Sequence, residues 1–478
     1  MRTVFAVGLA LALLGLPWAA RAETTLEIYG TAHVSADYVD RDMASVHNNT
    51  ALTCNANPGD CVNSAPYTQL SSNLSYLGFR VNHDIGDSGM KALFQIETQV
   101  DVTATPGIKD SLGSRDTYVG LGTGAGAFKI GKADSPYKRA TASYDPFSAT
   151  VGDYNAIMGN TGGDNRAEFD LRLPHAAWWE SPKMGGVSIA LMAAPGQNRV
   201  NEFDPNGTGD MGRNSGFPQG ENNCSGAAPG GSGTMTLGGN PDTKPNPGFR
   251  CTDGSFGDAY SLSLGLDAGM VRAVAAYELH SGVNRHGDDA GNYQVGVHDE
   301  WAAKAGAQFV TDTTTLSAIY ESMNRDRSDK NDKESKLVDE RSRTGYYLSG
   351  VQKLGDGGNA MLAWAHADKT PGDPVAQKAI DNEANLYSVG YRQFLDKSFS
   401  LYGVYAVEAN NKGAHYDLGA SGHGIPIVGR DGSAGCAQAD GCLPGDANGV
   451  VKATNISSFS LGVIYTFSAP FEVSVASK

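Results

Sequence analysis

Apolar and polar side chains alternate along most of this chain with a period of two. The stretch "SSFSLGVIYTF" shows it most clearly: Phe459, Leu461, Val463, Tyr465 and Phe467 are apolar, with mostly small or polar residues between them. That period marks a β-strand presenting one apolar face. The first such stretch is "TLEIYGTAHVSADY". It sets Leu26, Ile28, Ala32, Val34 and Tyr38 on one face, and Glu27, Thr31, His33, Ser35 and Asp37 on the other. Sixteen stretches read this way. Tight turns such as Gly86-Asp87-Ser88-Gly89 join seven pairs of them and alternate strictly with eight longer connections. The pattern predicts an up-and-down antiparallel barrel with short turns at one rim and long loops at the other.

The two faces decide what surrounds it. The apolar face recurs in nearly every strand, while the opposite face carries Lys91, Gln95, Glu97, Arg272, Glu278, Lys304 and Gln308. In a soluble β-sandwich the apolar faces pack against each other. An apolar exterior around a polar lumen belongs to a membrane barrel, whose closure removes the open edge that lipid penalises. Tyr38, Trp178, Trp179, Trp301, Tyr465 and Phe467 near strand ends predict interfacial girdles. Sixteen strands leave an aqueous channel instead of a filled core. The fold class is all-β: a 16-stranded antiparallel transmembrane β-barrel with short periplasmic turns and long extracellular loops.

The front of the chain agrees. "MRTVFAVGLALALLGLPWAARA" has a positive start, a short apolar run and an Ala20-Arg21-Ala22 ending, the pattern of a secretory signal peptide over residues 1–22. No later stretch is apolar enough for a membrane helix. The formal charge is −15, and it becomes more negative once the signal's two arginines are removed. That argues against a nucleic-acid partner, which needs a basic face. Six cysteines in an exported chain predict disulfides. They fall in local pairs, Cys54/Cys61, Cys224/Cys251 and Cys436/Cys442, each in a Gly/Asn/Asp-rich stretch. About 15 connectivities are open to six cysteines. Their spacing does not match a zinc site, and no metal or cofactor is expected.

No enzyme signature is present. "GLGTGAGAF" precedes a strand and not a helix, so it reads as a turn. "SGHG" near His423 lacks the setting of a nucleophilic serine. The histidines on strands, His33, His83, His175, His280 and His366, are scattered. An outer-membrane hydrolase would need a Ser/His pair that is not evident. A structural barrel or adhesin would place its business end in the glycine-rich connections 195–257 and 410–454.

The segments "SSNLSYLGFRVNHDIGDSGMKALFQIE", "SRDTYVGLGTGAGAFKIGKADSPY", "YDPFSA" and "RLPHAAWWESPKMGGVSIAL" resemble the trimeric general porins of Gram-negative outer membranes, in the neisserial and β-proteobacterial branch. The resemblance follows the mature chain in order and is most specific over residues 71–194. It implies a homotrimeric passive channel for ions and small hydrophilic solutes, set among outer-membrane lipid and lipopolysaccharide. It also implies an inward-folded third loop, here 135–171, whose acids face basic side chains across the pore. The loop supplies Asp145, Asp153, Asp164, Glu168 and Asp170. Matching wall positions supply Arg80, Lys132 and Arg172, with Arg115 less well matched. A charged constriction in a low-dielectric frame sets ion selectivity. The acidic loop points to a weak cation preference, and a substrate-selective anion or phosphate porin is the alternative.

The chain departs from the family in two places. Tyr76 stands where relatives usually carry arginine. Relatives also end at the terminal aromatic read by the barrel-assembly machinery. Here Leu461, Val463, Tyr465 and Phe467 fit that signal, yet "SAPFEVSVASK" follows. The expected division is a signal peptide (1–22), a barrel (23–467) and a C-terminal tail (468–478). Pro470 is expected to interrupt any continuing ladder, and a shifted closing strand is the alternative.

Overall fold

The computed structural model describes residues 23–42, 66–103, 112–159, 169–195, 256–283, 298–325, 342–369, 383–411, 414, 416, 418–419 and 455–473. The signal segment, Asp164 and Glu168 lie outside these residues. So do all six cysteines, Cys54, Cys61, Cys224, Cys251, Cys436 and Cys442, and with them the three expected disulfides.

The strands close into one antiparallel ring. β1 is Thr24–Asp42, and β2 comes in two segments, Tyr67–Ser72 and Tyr76–Asp84, both paired with β1. The residues between the segments turn out of the ladder, with Leu74 at φ 46°. The Asn73 side chain donates to Ser35 Oγ, and the His33 amide donates to Ser75 Oγ, so the break remains pinned to β1. The ring continues through β3 (Lys91–Gln99), β4 (Thr117–Thr123), β5 (Gly126–Asp134), β6 (Arg172–Glu180) and β7 (Val187–Ala194). Longer strands follow: β8 (Asp258–Ala268), β9 (Val271–Val283), β10 (His298–Val310), β11 (Thr314–Arg325) and β12 (Arg343–Leu354). β13 (Gly358–Ala367), β14 (Ala384–Phe394), β15 (Phe399–Asn410) and β16 (Asn455–Val473) complete the wall. β16 pairs with β15 and with β1, which closes the barrel as sixteen strands.

Alternation sorts the side chains as expected. Leu264, Leu316, Leu348, Val389 and Leu461 are exposed on the outer surface, while their neighbours in sequence turn inward and are buried or half-buried. One girdle residue is a correction. The β5–β6 register slips between Gly131 and Ala133, and His175 takes φ 52°. This bulge puts Trp178 inside, buried, with its indole N–H donating to Glu180, while Trp179 stays on the outer face.

The end of β16 is the second correction. The strand does not stop at Phe467: its register with β1 runs unbroken from Asp42↔Asn455 to Thr24↔Val473. Pro470 sits inside this ladder, opposite Glu27. The Thr466 amide donates to Ser398 on the β15 side. Residues of the same parity point their N–H to the same edge, so the donor missing at Pro470 belongs to that edge, where β15 has already ended. Pairing with β1 loses nothing.

Candidate functional site

The described parts of connection 135–171 between β5 and β6, residues 135–159 and 169–171, pack inside the barrel. Its two ends are tied together where the Ser135 amide donates to Leu171 O. Ser135 then caps a short helix, α1 (Pro136–Thr141), by accepting from the Lys138 amide, with Pro136 at the position where proline's missing donor costs least. Beyond α1 the loop places Tyr144, Phe147, Val151, Tyr154, Ile157 and Met158 against the wall, all buried in one cluster with Ile319, Tyr347, Met361 and Leu386. Burying a large apolar side chain contributes about 1.5–3 kcal/mol, so several together set the loop's position.

The wall is shaped to receive it. A Cβ at Gly306 would lie 2.8 Å from the Tyr144 ring, and one at Gly390 would lie 3.0 Å from the Phe147 ring. Hydrogen bonds complete the seat. Tyr137 Oη donates to Glu321 (2.9 Å), Tyr347 Oη to Asp145 (2.7 Å), Ser349 to Tyr144 O (2.8 Å) and Ser388 to Gly152 O (3.3 Å). The Gly159 amide donates to Glu321 (2.8 Å), and the Lys304 ammonium donates to Asp170. These partners stand on β10, β11, β12 and β14. The loop therefore covers that side of the lumen and makes its polar face dry: Glu278, Lys304, Gln308 and Glu321 are buried.

The described loop acids, Asp145, Asp153 and Asp170, do not face open lumen. Asp145 accepts the Phe147 and Tyr154 amides as well as Tyr347 Oη. Asp153 accepts the Ala149 and Asn155 amides and caps the turn 154–156. Asp170 is paired with Lys304 and accepts from Asn155. These carboxylates shape and anchor the loop. Burial raises Asp145 to about 6, and burial reinforced by the charge on Asp145 raises Asp153 to about 8.

The basic wall positions stand on or beside β2, β4, β5 and β6, and the loop reaches the last two through Lys138–Asp134 and Arg139–Glu180. Arg80 on β2 bonds Glu27 (2.8 Å) and Gln95 (3.1 Å), and its guanidinium lies 4.6 Å from the Tyr29 ring centre. Arg115 pairs with Glu97 and lies 4.8 Å from the Tyr76 ring centre, so Tyr76 serves as the platform for an arginine. Arg172 bonds Asp116 (2.6 Å) and Asp134 (3.0 Å). Lys132, by contrast, has no carboxylate within ion-pair distance among the described residues. Sequence reasoning missed two wall cations. Lys129 pairs with Glu180 (2.8 Å) and lies 4.8 Å from the Tyr118 ring centre. Arg392, on the inward face of β14, donates to Ser400 (2.9 Å) and has no acidic partner among the described residues. Parity alone marks both as inward, since Phe128, Ile130, Val389 and Tyr391 beside them are exposed on the outer face.

The described geometry is a closed barrel with a loop packed inside it and arginine, lysine and tyrosine on the wall. Comparison with known proteins agrees. The profile of the family described as Gram-negative porin matches residues 8–414. The major outer membrane protein P.IA of Neisseria meningitidis serogroup C is 26% identical over 201 residues, 41% of this chain and 48% of that protein. P.IB of serogroup A is 28% identical over 190 residues, 40% of this chain and 50% of that one. Alignments to such curated relatives span from about a third to half of their length. In fold, the anion-selective porin from Comamonas acidovorans superposes with a TM-score of 0.61 at 18% identity, over 94% of this chain and 100% of that one. The outer membrane channel DcaP of Acinetobacter baumannii does so with a TM-score of 0.50 at 13% identity, over 95% and 99%.

Proposed function

Because the chain belongs to the Gram-negative porin family, we propose that it is a general diffusion porin of the outer membrane. It lets ions and small hydrophilic solutes pass down their gradients, without cofactor or covalent chemistry. The observation that carries this reading is the described part of the third loop, packed inside a closed sixteen-stranded barrel. The proposal includes the homotrimer, the lipopolysaccharide contacts and the recognition of Leu461, Val463, Tyr465 and Phe467 by the assembly machinery that the resemblance implies. It also keeps the local cysteine pairs Cys54/Cys61, Cys224/Cys251 and Cys436/Cys442 as disulfides of an exported chain.

Selectivity in this reading is weak, because most wall cations are paired with acids and the described loop acids are sequestered. The cation preference expected from the loop rests on Asp164 and Glu168 and on the net charge. A second reading, weak anion preference, is favoured by Arg392, a lumen cation without an acidic partner among the described residues, since basic linings select anions. The test is the reversal potential of purified protein in a planar bilayer under a KCl gradient. Conductance with a cation-side potential supports the first reading. An anion-side potential that weakens or reverses sign in Arg392→Glu supports the second. Folded protein that makes no conductance ends both.

A further inference from the structure

The last long connection begins where β15 ends, and sequence alone assigns it to the cell surface. Its described residues, Asn411, Ala414, Tyr416 and Leu418, lie inward instead. The Asn411 amide donates to Glu383 O, the Ala414 amide donates to Asn411 O, and the Asn410 side chain closes the return on both sides of Tyr416. Asn410 Nδ2 donates to Tyr416 O, and the Tyr416 amide donates to Asn410 Oδ1, each at 2.9 Å. Tyr416 and Leu418 are thereby fully buried, in one cluster with Val39 of β1, Ala406 of β15 and Ile456 of β16. All three of those are inward positions on their strands.

One side chain joins this turn to the third loop. Arg343, buried at the start of β12, donates to Ile157 O of the loop, and its guanidinium carbon lies 5.7 Å from the Tyr416 ring centre. The third loop seats on β8–β14, with Phe169 stacked on His280 of β9, and the inward turn shares its cluster with β15, β16 and β1. Arg80 on β2 and Arg172 on β6 stand on the remaining arc of the wall.

We propose that the inward turn carrying Ala414, Tyr416 and Leu418 is a second constriction element, which narrows the pore from the side the third loop does not reach, and that Arg343 is the positioning residue locking the two together. This rests on the channel reading. Solute is then confined to an off-centre passage against the basic arc of the wall.

The test compares the parent protein with Tyr416→Ala/Leu418→Ser, Arg343→Met and Arg343→Lys, each shown to be folded by heat-modifiable gel migration. Single-channel conductance in KCl is measured, with liposome swelling in a monosaccharide and in a trisaccharide. The turn pair and Arg343→Met are expected to raise conductance and to increase the trisaccharide-to-monosaccharide rate ratio severalfold. Arg343→Lys, still able to donate to Ile157 O, stays near the parent. A conducting parent whose turn pair keeps the same conductance and size cutoff overturns the second constriction. Should Arg343→Met fail to fold, the turn pair decides alone. A silent parent overturns the channel reading and this inference with it.

Discussion

Replacing Lys304 with methionine tests whether charge latches the third loop to the wall. Lys304 and Asp170 form an ion pair in which each side chain is only 1% exposed, so water screens it very little. Removing one partner leaves a buried charge uncompensated, a loss of about 3–5 kcal/mol, whereas removing both charges is often close to neutral. The Lys304 ammonium also lies 4.0 Å from the Tyr137 ring centre, a cation–π contact worth about 0.5–2 kcal/mol. Lys304→Met is therefore expected to destabilise by about 3–5 kcal/mol. The double variant Lys304→Met/Asp170→Asn should recover most of this, with a coupling energy of about 2–3 kcal/mol. The assay is urea unfolding of purified protein in detergent micelles, followed by gel migration and tryptophan fluorescence, beside single-channel recording. If the loop lifts before the barrel melts, the urea loss is capped at the docking free energy, and the missing part appears as open-channel noise. Single variants within about 0.5 kcal/mol of the parent and equally quiet would refute the latch. So would single effects that simply add in the double variant.

Three further outcomes follow from the same geometry. Asp145 and Asp153 have folded pKa values above the unfolded aspartate value, so the docked loop binds more protons than the released one. Docking is then strongest in acid and weakens as pH rises from about 4 to about 8. Open-channel noise should be greater at pH 9 than at pH 5, and Asp153→Asn should flatten the difference; the opposite slope would sink the assignment. Gly306→Val should collide with the Tyr144 ring and overpack the seat by about 1–3 kcal/mol, raising conductance, whereas outward-facing Ala307→Val should do neither. At the closing strand, Pro470→Ala should leave heat resistance unchanged, while truncation after Phe467 strips β1 residues 24–29 of their β16 partners and should lower it. Equal heat resistance of the truncated and full-length barrels would show that this pairing contributes nothing.

The strands were legible because lipid enforces the period of two, and Leu461, Val463 and Tyr465 announce their face without reference to any other strand. The lumen side carries no such rule. The acids Asp145, Asp153 and Asp170 lie in the loop that folds inward, yet a carboxylate in a loop serves equally well as a lining charge or as the acceptor for its own turn. The spacing of Asp153 ahead of Asn155, with its side chain capping the turn, was the local signal for the second role. Trp178 was misplaced because a bulge shifts parity by one, and a bulge at His175 leaves no mark in composition. The tail was read as unpaired because proline argues against a strand unless the missing donor falls on the open edge, and edge identity depends on where β15 stops. The inward turn after Asn410 was hidden for a related reason: the residue that holds it to the third loop, Arg343, lies 67 positions earlier, at the mouth of another strand.

Gly306 and Gly390 stand on β10 and β14, and each receives one ring of the same loop. A ring that leaves such a recess meets an ordinary side chain on either side and finds no intermediate resting place. Movement of the loop along the wall is therefore a matter of seated or unseated, ring by ring. The electrical record of one pore should accordingly break into a few fixed sublevels, each with its own dwell time, and not wander through a continuum.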